Sequence, residues 1–225
     1  MKGKTKQIQR NFRVAMLAFG AFFLIVLFNN FVDLYDRRQL DSGPTQSGEF
    51  GEVAKYTPLL ERELRSVGLE EHTVLLAAVM HQESKGKGGD PMQSSESAGM
   101  APNSIQDPQL SIKYGVKHFQ RAVARGNEKN VDFPTIVQAY NMGLGYIDFI
   151  AERGGRHSEE LAKQFSMIQV NKNPETYNCG GDKSNFRYPY CYGDFSYSTK
   201  VADHMERIGF TQAVNAGVET QESSF

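Results

Sequence analysis

The sequence predicts an all-α domain behind an N-terminal membrane helix. Three observations carry that expectation. After about Phe50 the apolar residues recur at three- and four-residue spacings, with no convincing strand alternation, repeat or heptad array. Helix-start signals precede several of these runs, as at Asp107-Pro108. Near the N-terminus, an apolar run follows a tail that is basic and free of acids.

In chain order, residues 1–13 carry Lys2, Lys4, Lys6, Arg10 and Arg13 and read as a basic cytoplasmic tail. The run from Val14 to Phe28 is extended by Asn29-Asn30-Phe31-Val32 to about 20 residues, long enough to span a bilayer. No small-x-small cleavage site follows it, so 14–32 is expected to be an uncleaved anchor. Basic residues before it and mixed charges after it (Asp33, Asp36, Arg37, Arg38) place the N-terminus in the cytoplasm and the rest outside the cell. Residues 33–52, with Leu40-Asp41-Ser42-Gly43-Pro44-Thr45-Gln46-Ser47-Gly48-Glu49, have linker composition.

The region after about Phe50 leaves roughly 170 residues for a single core, and a globular domain is expected over 53–210. Its first helix should run from Val53 to Ser66 and stop near Gly68; a second spans Thr73 to Gln82 and carries Glu83 at its end. Asp107-Pro108 opens a helix with Ile112, Val116, Phe119 and Val123 on one stripe. Asp132 with Pro134 opens another through Ile136, Val137 and Tyr140, which breaks at Asn141-Met142-Gly143 before Tyr146, Ile147, Phe149 and Ile150. Ser158, followed by Glu159 and Glu160, caps a helix through Leu161, Phe165 and Ile168. Val201, Met205 and Ile208 mark a last helix, and 211–225 reads as a loose polar tail.

Setting aside the five basic residues of the tail leaves 20 of the 25 Lys and Arg against 26 Asp and Glu, a formal charge of −6 for the remainder. That argues against nucleic acid as a ligand, because phosphate contacts need a basic surface. Cys179 and Cys191 fall on the external side, in a loop with Gly180, Gly181, Pro189 and Gly193, and are a candidate disulfide. Free thiols or metal ligands are the alternatives, but no CxxC or HExxH pattern supports a metal, and no cofactor is expected.

His81-Gln82-Glu83-Ser84 is the most informative stretch. Leu76, Val79, Met80 and Glu83 share a helical face, so Glu83 should enter the interior, where burial and the helix C-terminus both disfavour its charged form. A carboxyl in an apolar pocket can reach a pKa of about 6 and act as an acid near neutrality. Beyond Gly86, Gly88 and Gly89 comes Asp90-Pro91-Met92-Gln93-Ser94-Ser95-Glu96-Ser97, in which Asp90 should stay ionised among backbone donors. One protonated and one ionised carboxyl suit the cutting of a glycosidic bond. The bland alternative is a solvent-facing Glu83 beside an ordinary loop. Gln138-Ala139-Tyr140-Asn141-Met142-Gly143 offers an aromatic face and an amide before a glycine, a surface that suits sugars, although a core aromatic and a helix cap would look the same.

In this order and spacing, the three motifs resemble the CwlT-type lysozyme-like domain of membrane-anchored Gram-positive muramidases, related to goose-type lysozymes and soluble lytic transglycosylases. The likeness covers roughly Tyr56 to Phe165, and the Cys179–Cys191 loop has no counterpart in the core pattern. The resemblance implies an all-helical lysozyme-like fold acting on the β-1,4 link between N-acetylmuramic acid and N-acetylglucosamine in peptidoglycan. It implies Glu83 as general acid and Asp90 as second carboxylate. Met92, Gln93, Ser94, Ser95, Tyr140 and Asn141 are expected at the substrate groove, with Glu96 a weaker groove candidate. The leading expectation is a membrane-tethered muramidase in wall remodelling or local wall opening. Its rivals are a lytic transglycosylase, which leaves anhydro ends, and a glycan-binding module anchoring cell-surface machinery for conjugation or division.

Overall fold

Phe50, at the start of the stretch that the computed structural model describes (residues 49–208), already lies in the core with its ring 4.5 Å from that of His81. The fold thus begins before the expected boundary at Val53, because Phe50 and Val53 are both buried around a short helix, α1 (Gly51–Ala54). The single helix expected over Val53 to Ser66 is broken, and α2 (Thr57–Arg65) starts afresh. Pro58 is the reason: it lacks the N–H that a continuing helix needs, yet it fits the first turn of a new one.

Gly68, at φ +70°, and a 3-10 turn at Glu70–His72 lead into α3 (Thr73–Ser84). Seven successive residues, Leu75 to His81, are buried there. This helix is apolar all round and runs through the core, and the face of Leu76, Val79 and Met80 that leads to Glu83 is buried with the rest. Leu76 and Met80 are fully enclosed, at about 1.5–3 kcal/mol each, and their packing fixes the last turn, which carries Glu83.

Three further helices start where the sequence places them. Asp107 accepts from the Gln109 N–H at 3.0 Å to open α4 (Pro108–Lys129), and Asp132 accepts from the Thr135 N–H at 3.2 Å to open α5 (Phe133–Met142). The break falls at Gly143, whose φ of +77° and ψ of 166° turn the chain into α6 (Gly145–Ala151). Ser158 accepts from the Leu161 N–H at 3.2 Å and starts α7 (Glu159–Lys172). That helix buries Ala162, Phe165 and Ser166, leaving Ile168 exposed rather than inward; it sits about 200° round the axis from Ser166. The chain is helical again over 197–208, here α8, with Val201 and Ile208 inward.

α2 packs on α3 and α4, α4 on α5 and α6, and α6 on α7. No strand occurs among the described residues, and no helix among them is long and apolar enough to cross a membrane. The expected basic tail, anchor, most of the linker and the polar tail lie outside the described residues. Cys179 and Cys191 form a disulfide, with Cα atoms 5.1 Å apart, that closes the loop between α7 and α8.

Candidate active site

Glu83 leaves the last turn of α3 half-buried, and Tyr197, the first residue of α8, donates its hydroxyl to Glu83 Oε1 at 2.6 Å. Burial pushes the Glu83 carboxyl up from 4.5 to about 7, partly offset by the Tyr197 bond and reinforced by the negative charges of Asp90 and Asp194. Tyr197 and Tyr140 are both buried, and burial drives both phenols well above their ordinary value, so both keep their protons. Their rings lie parallel with centroids 6.5 Å apart.

Asp90 is 5% exposed and holds the following loop from inside. Its Oδ1 accepts from the Ser94 N–H at 2.9 Å and the Ser111 hydroxyl at 2.7 Å, and its Oδ2 accepts from the Ser95 N–H at 3.1 Å and the Ser95 hydroxyl at 2.5 Å. These four donors fill the about four acceptor positions of a carboxylate. Burial alone would raise its pKa, but the hydroxyls of Ser111 and Ser95 and the two N–H groups outweigh it and hold Asp90 below the usual carboxylate range. The same hydroxyls work outward: Ser111 Oγ accepts from the Met92 N–H at 2.9 Å, and Ser95 Oγ accepts from the Ile105 N–H at 3.1 Å. Ser94 turns its own hydroxyl to the Ser111 carbonyl at 2.8 Å.

The expected groove residues divide accordingly. Met92 is fully enclosed against Gly115, and Ser94 and Ser95 are each 1% exposed, so these three side chains build the loop from within rather than line an open surface. Tyr140 is also internal, and its hydroxyl donates to the Met92 carbonyl at 3.1 Å. Gln93 and Glu96 stand exposed beside them; Gln93 sits at φ +46° with its amide nitrogen donating to the Asp90 carbonyl at 3.1 Å. Asn141 is half-buried, and its Oδ1 accepts from the Asp194 N–H at 2.6 Å, which leaves its NH₂ group to donate.

The segment that completes the site carries none of the three motifs. Gln138 donates to the Asp194 carbonyl at 2.7 Å and accepts from the Ser198 N–H at 3.0 Å, clamping the start of α8 against α5. Tyr192 donates to the Met142 carbonyl at 3.0 Å, and Lys200 pairs with Asp194 at 2.6 Å. Tyr197 continues the stripe of Val201, Met205 and Ile208 one turn towards the N-terminus, a spacing that marks it as inward but not as a partner of Glu83.

The Lysozyme-like family model matches residues 50–205, which takes in the whole of this arrangement. The chain belongs to the lysozyme-like family. This lysozyme-like chain is 50% identical over 210 residues to the uncharacterized membrane protein YocA of Bacillus subtilis, covering 93% of this chain and 91% of that one. It is 37% identical over 156 residues to the bifunctional muramidase/DL-endopeptidase CwlT of the same organism, covering 69% of this chain and 41% of CwlT. Pneumococcal vaccine antigen A of Streptococcus pneumoniae is 37% identical over 158 residues, 67% of this chain and 78% of that protein. Among solved structures, a Staphylococcus aureus protein similar to a lipoprotein of the NLP/P60 family superposes with a TM-score of 0.59 at 32% identity, over 68% of this chain and 52% of that one. The resemblance to CwlT-type lysozyme-like domains read from the three motifs is thus borne out.

Proposed function

We propose that this lysozyme-like domain cleaves the β-1,4 bond between N-acetylmuramic acid and N-acetylglucosamine in peptidoglycan, with Glu83 as general acid. The observation that carries this reading is the Tyr197–Glu83 pair. Because Tyr197 donates into Oε1, the proton of the neutral acid belongs on Oε2, the oxygen not engaged by Tyr197. That proton passes to the glycosidic oxygen as its bond to the sugar breaks, and the ionised Asp90 favours the developing oxocarbenium charge. Glu83, now a carboxylate, can then accept a proton from the water whose oxygen bonds to the anomeric carbon. In this scheme Asp90 holds the loop and supplies charge, since its four acceptor positions are already filled.

That filling also favours a second reading, a lytic transglycosylase, in which a hydroxyl of the substrate itself attacks and no second carboxylate needs to hold water. The two products differ by one water. We place the domain on the outer side of the membrane, tethered by residues 14–32, as the name of its YocA relative and the disulfide support. Mass spectrometry of purified peptidoglycan treated with the full chain tests this: muropeptides should appear, and Glu83→Gln should lower their rate by at least about 100-fold. Equal rates from both proteins would refute the role of Glu83, and muropeptides with anhydro ends would select the transglycosylase.

A further inference from the structure

The loop between α7 and α8 has an inner and an outer side, and only the inner side belongs to the site described above. Inward, Tyr192 and Asp194 hydrogen-bond to Met142 and Asn141, and Gly193, at φ +66°, lies so close to Asn141 that a Cβ would meet its Oδ1 at 2.8 Å. Outward, the loop displays two rings, Phe186 at 61% exposure and Tyr188 at 44%. Phe186 is the most exposed large apolar side chain among the described residues.

The Phe186 ring is braced. The Phe186 and Phe195 rings meet edge to face with centroids 6.1 Å apart, and Lys200 Nζ sits 4.2 Å from the centre of the Phe186 ring while pairing with Asp194. Lys163 Nζ lies 4.8 Å from the centre of Phe195. The Cys179–Cys191 disulfide closes the segment that carries both exposed rings.

We infer that Phe186 and Tyr188 form a second saccharide subsite, which stacks a pyranose ring of the same glycan strand away from the bond that is cut. The inference rests on the glycan-cleaving reading of the site. A sugar ring has a CH-rich face for an aromatic ring and a hydroxyl rim for the polar groups around it. The surroundings favour a sugar over a protein partner: Gly180, Gly181, Asp182, Lys183 and Ser184, which precede the rings in the same loop, are exposed and add no large apolar side chain. Two isolated rings fall far short of the about 800 Å² per partner that a stable protein interface buries. Lys200 links the Phe186 ring to Asp194, whose charge acts on Glu83, so the loop borders the Glu83 site.

The test uses the full chain carrying Glu83→Gln, with and without Phe186→Ala and Tyr188→Ala together, and measures affinity for the hexamer and the dimer of N-acetylglucosamine. Loss of the rings should weaken hexamer binding about tenfold and leave dimer binding unchanged. Phe186→Trp should retain hexamer binding, which separates stacking from damage to the loop. Unchanged hexamer affinity, an equal loss on both probes, or no hexamer binding by the parent protein would each overturn the subsite. Peptidoglycan cleavage by the unsubstituted chain compared with Glu83→Gln, measured separately, reports on Glu83 without reference to the rings, so a failed subsite and a failed catalytic assignment are distinguishable.

Discussion

Replacing Glu83 with Gln should stabilise the folded protein above neutrality and leave it no more stable in acid. The folded carboxyl keeps its proton up to about pH 7, whereas in the unfolded chain it ionises near its ordinary value of 4.5. As pH rises between those values the unfolded state loses its proton first, so stability falls across that window and then levels off. The difference corresponds to about 3 kcal/mol, and Gln, having no proton to lose, escapes it. Every other titrating group acts on both proteins, so the quantity to follow is the difference between them. Urea unfolding at about pH 4, 6 and 8 supplies it, provided the m values agree. The expected gain for Glu83→Gln is near zero at the lowest pH and about 3 kcal/mol at the highest. A gain that does not change with pH would show that burial does not hold the proton on Glu83.

Tyr197→Phe removes the one hydrogen bond that favours the ionised acid, so the Glu83 pKa should rise by about one unit and the alkaline limb of the pH–activity profile should move up with it; an unmoved limb would mean that Tyr197 does not donate there. Asp90→Asn turns an NH₂ group towards two of four donors and should cost about 3 kcal/mol, seen as a lower thermal midpoint together with reduced wall digestion. Because the folded Asp90 pKa lies below 3.8, its stabilising share is present above that value and is lost as pH falls through the folded pKa, so Asp90→Asn should also lose that acid-side dependence. Gly115→Ala would place a Cβ 2.8 Å from Met92 Cβ and 2.9 Å from the Tyr140 hydroxyl, and urea unfolding should report about 1–3 kcal/mol of overpacking.

Local signals made much of this structure readable. Asp107, Asp132 and Ser158 cap helices because each offers an acceptor to an N–H that the helix leaves unpaired, and Gly143 breaks α5 because its φ is positive. Glu83 was legible as an inward acid because apolar residues three and four positions before it fix its side of the helix. Pro58 is as plain a signal in the sequence, because a residue without an N–H fits the first turn of a helix and not its interior.

The rest depends on contacts that no local pattern encodes. Tyr197 meets Glu83 across 114 positions of sequence. Ser94 and Ser95 look like surface or groove residues by composition, yet they are internal because the buried Asp90 needs donors and recruits them. Met92 follows them inward because α4 carries Gly115 at the point of contact, leaving room for it. Tyr140 shares that space, so a ring that reads as a sugar platform is a wall of the core.

The most direct measurement is the titration of the Glu83 carboxyl carbon by NMR in the full chain, with Glu83→Gln identifying the resonance. A midpoint near 7 is the result expected when burial and the negative charges of Asp90 and Asp194 both disfavour the ionised form. A midpoint at or below 4.5 would mean that the group is already ionised at neutral pH and has no proton to give the leaving sugar.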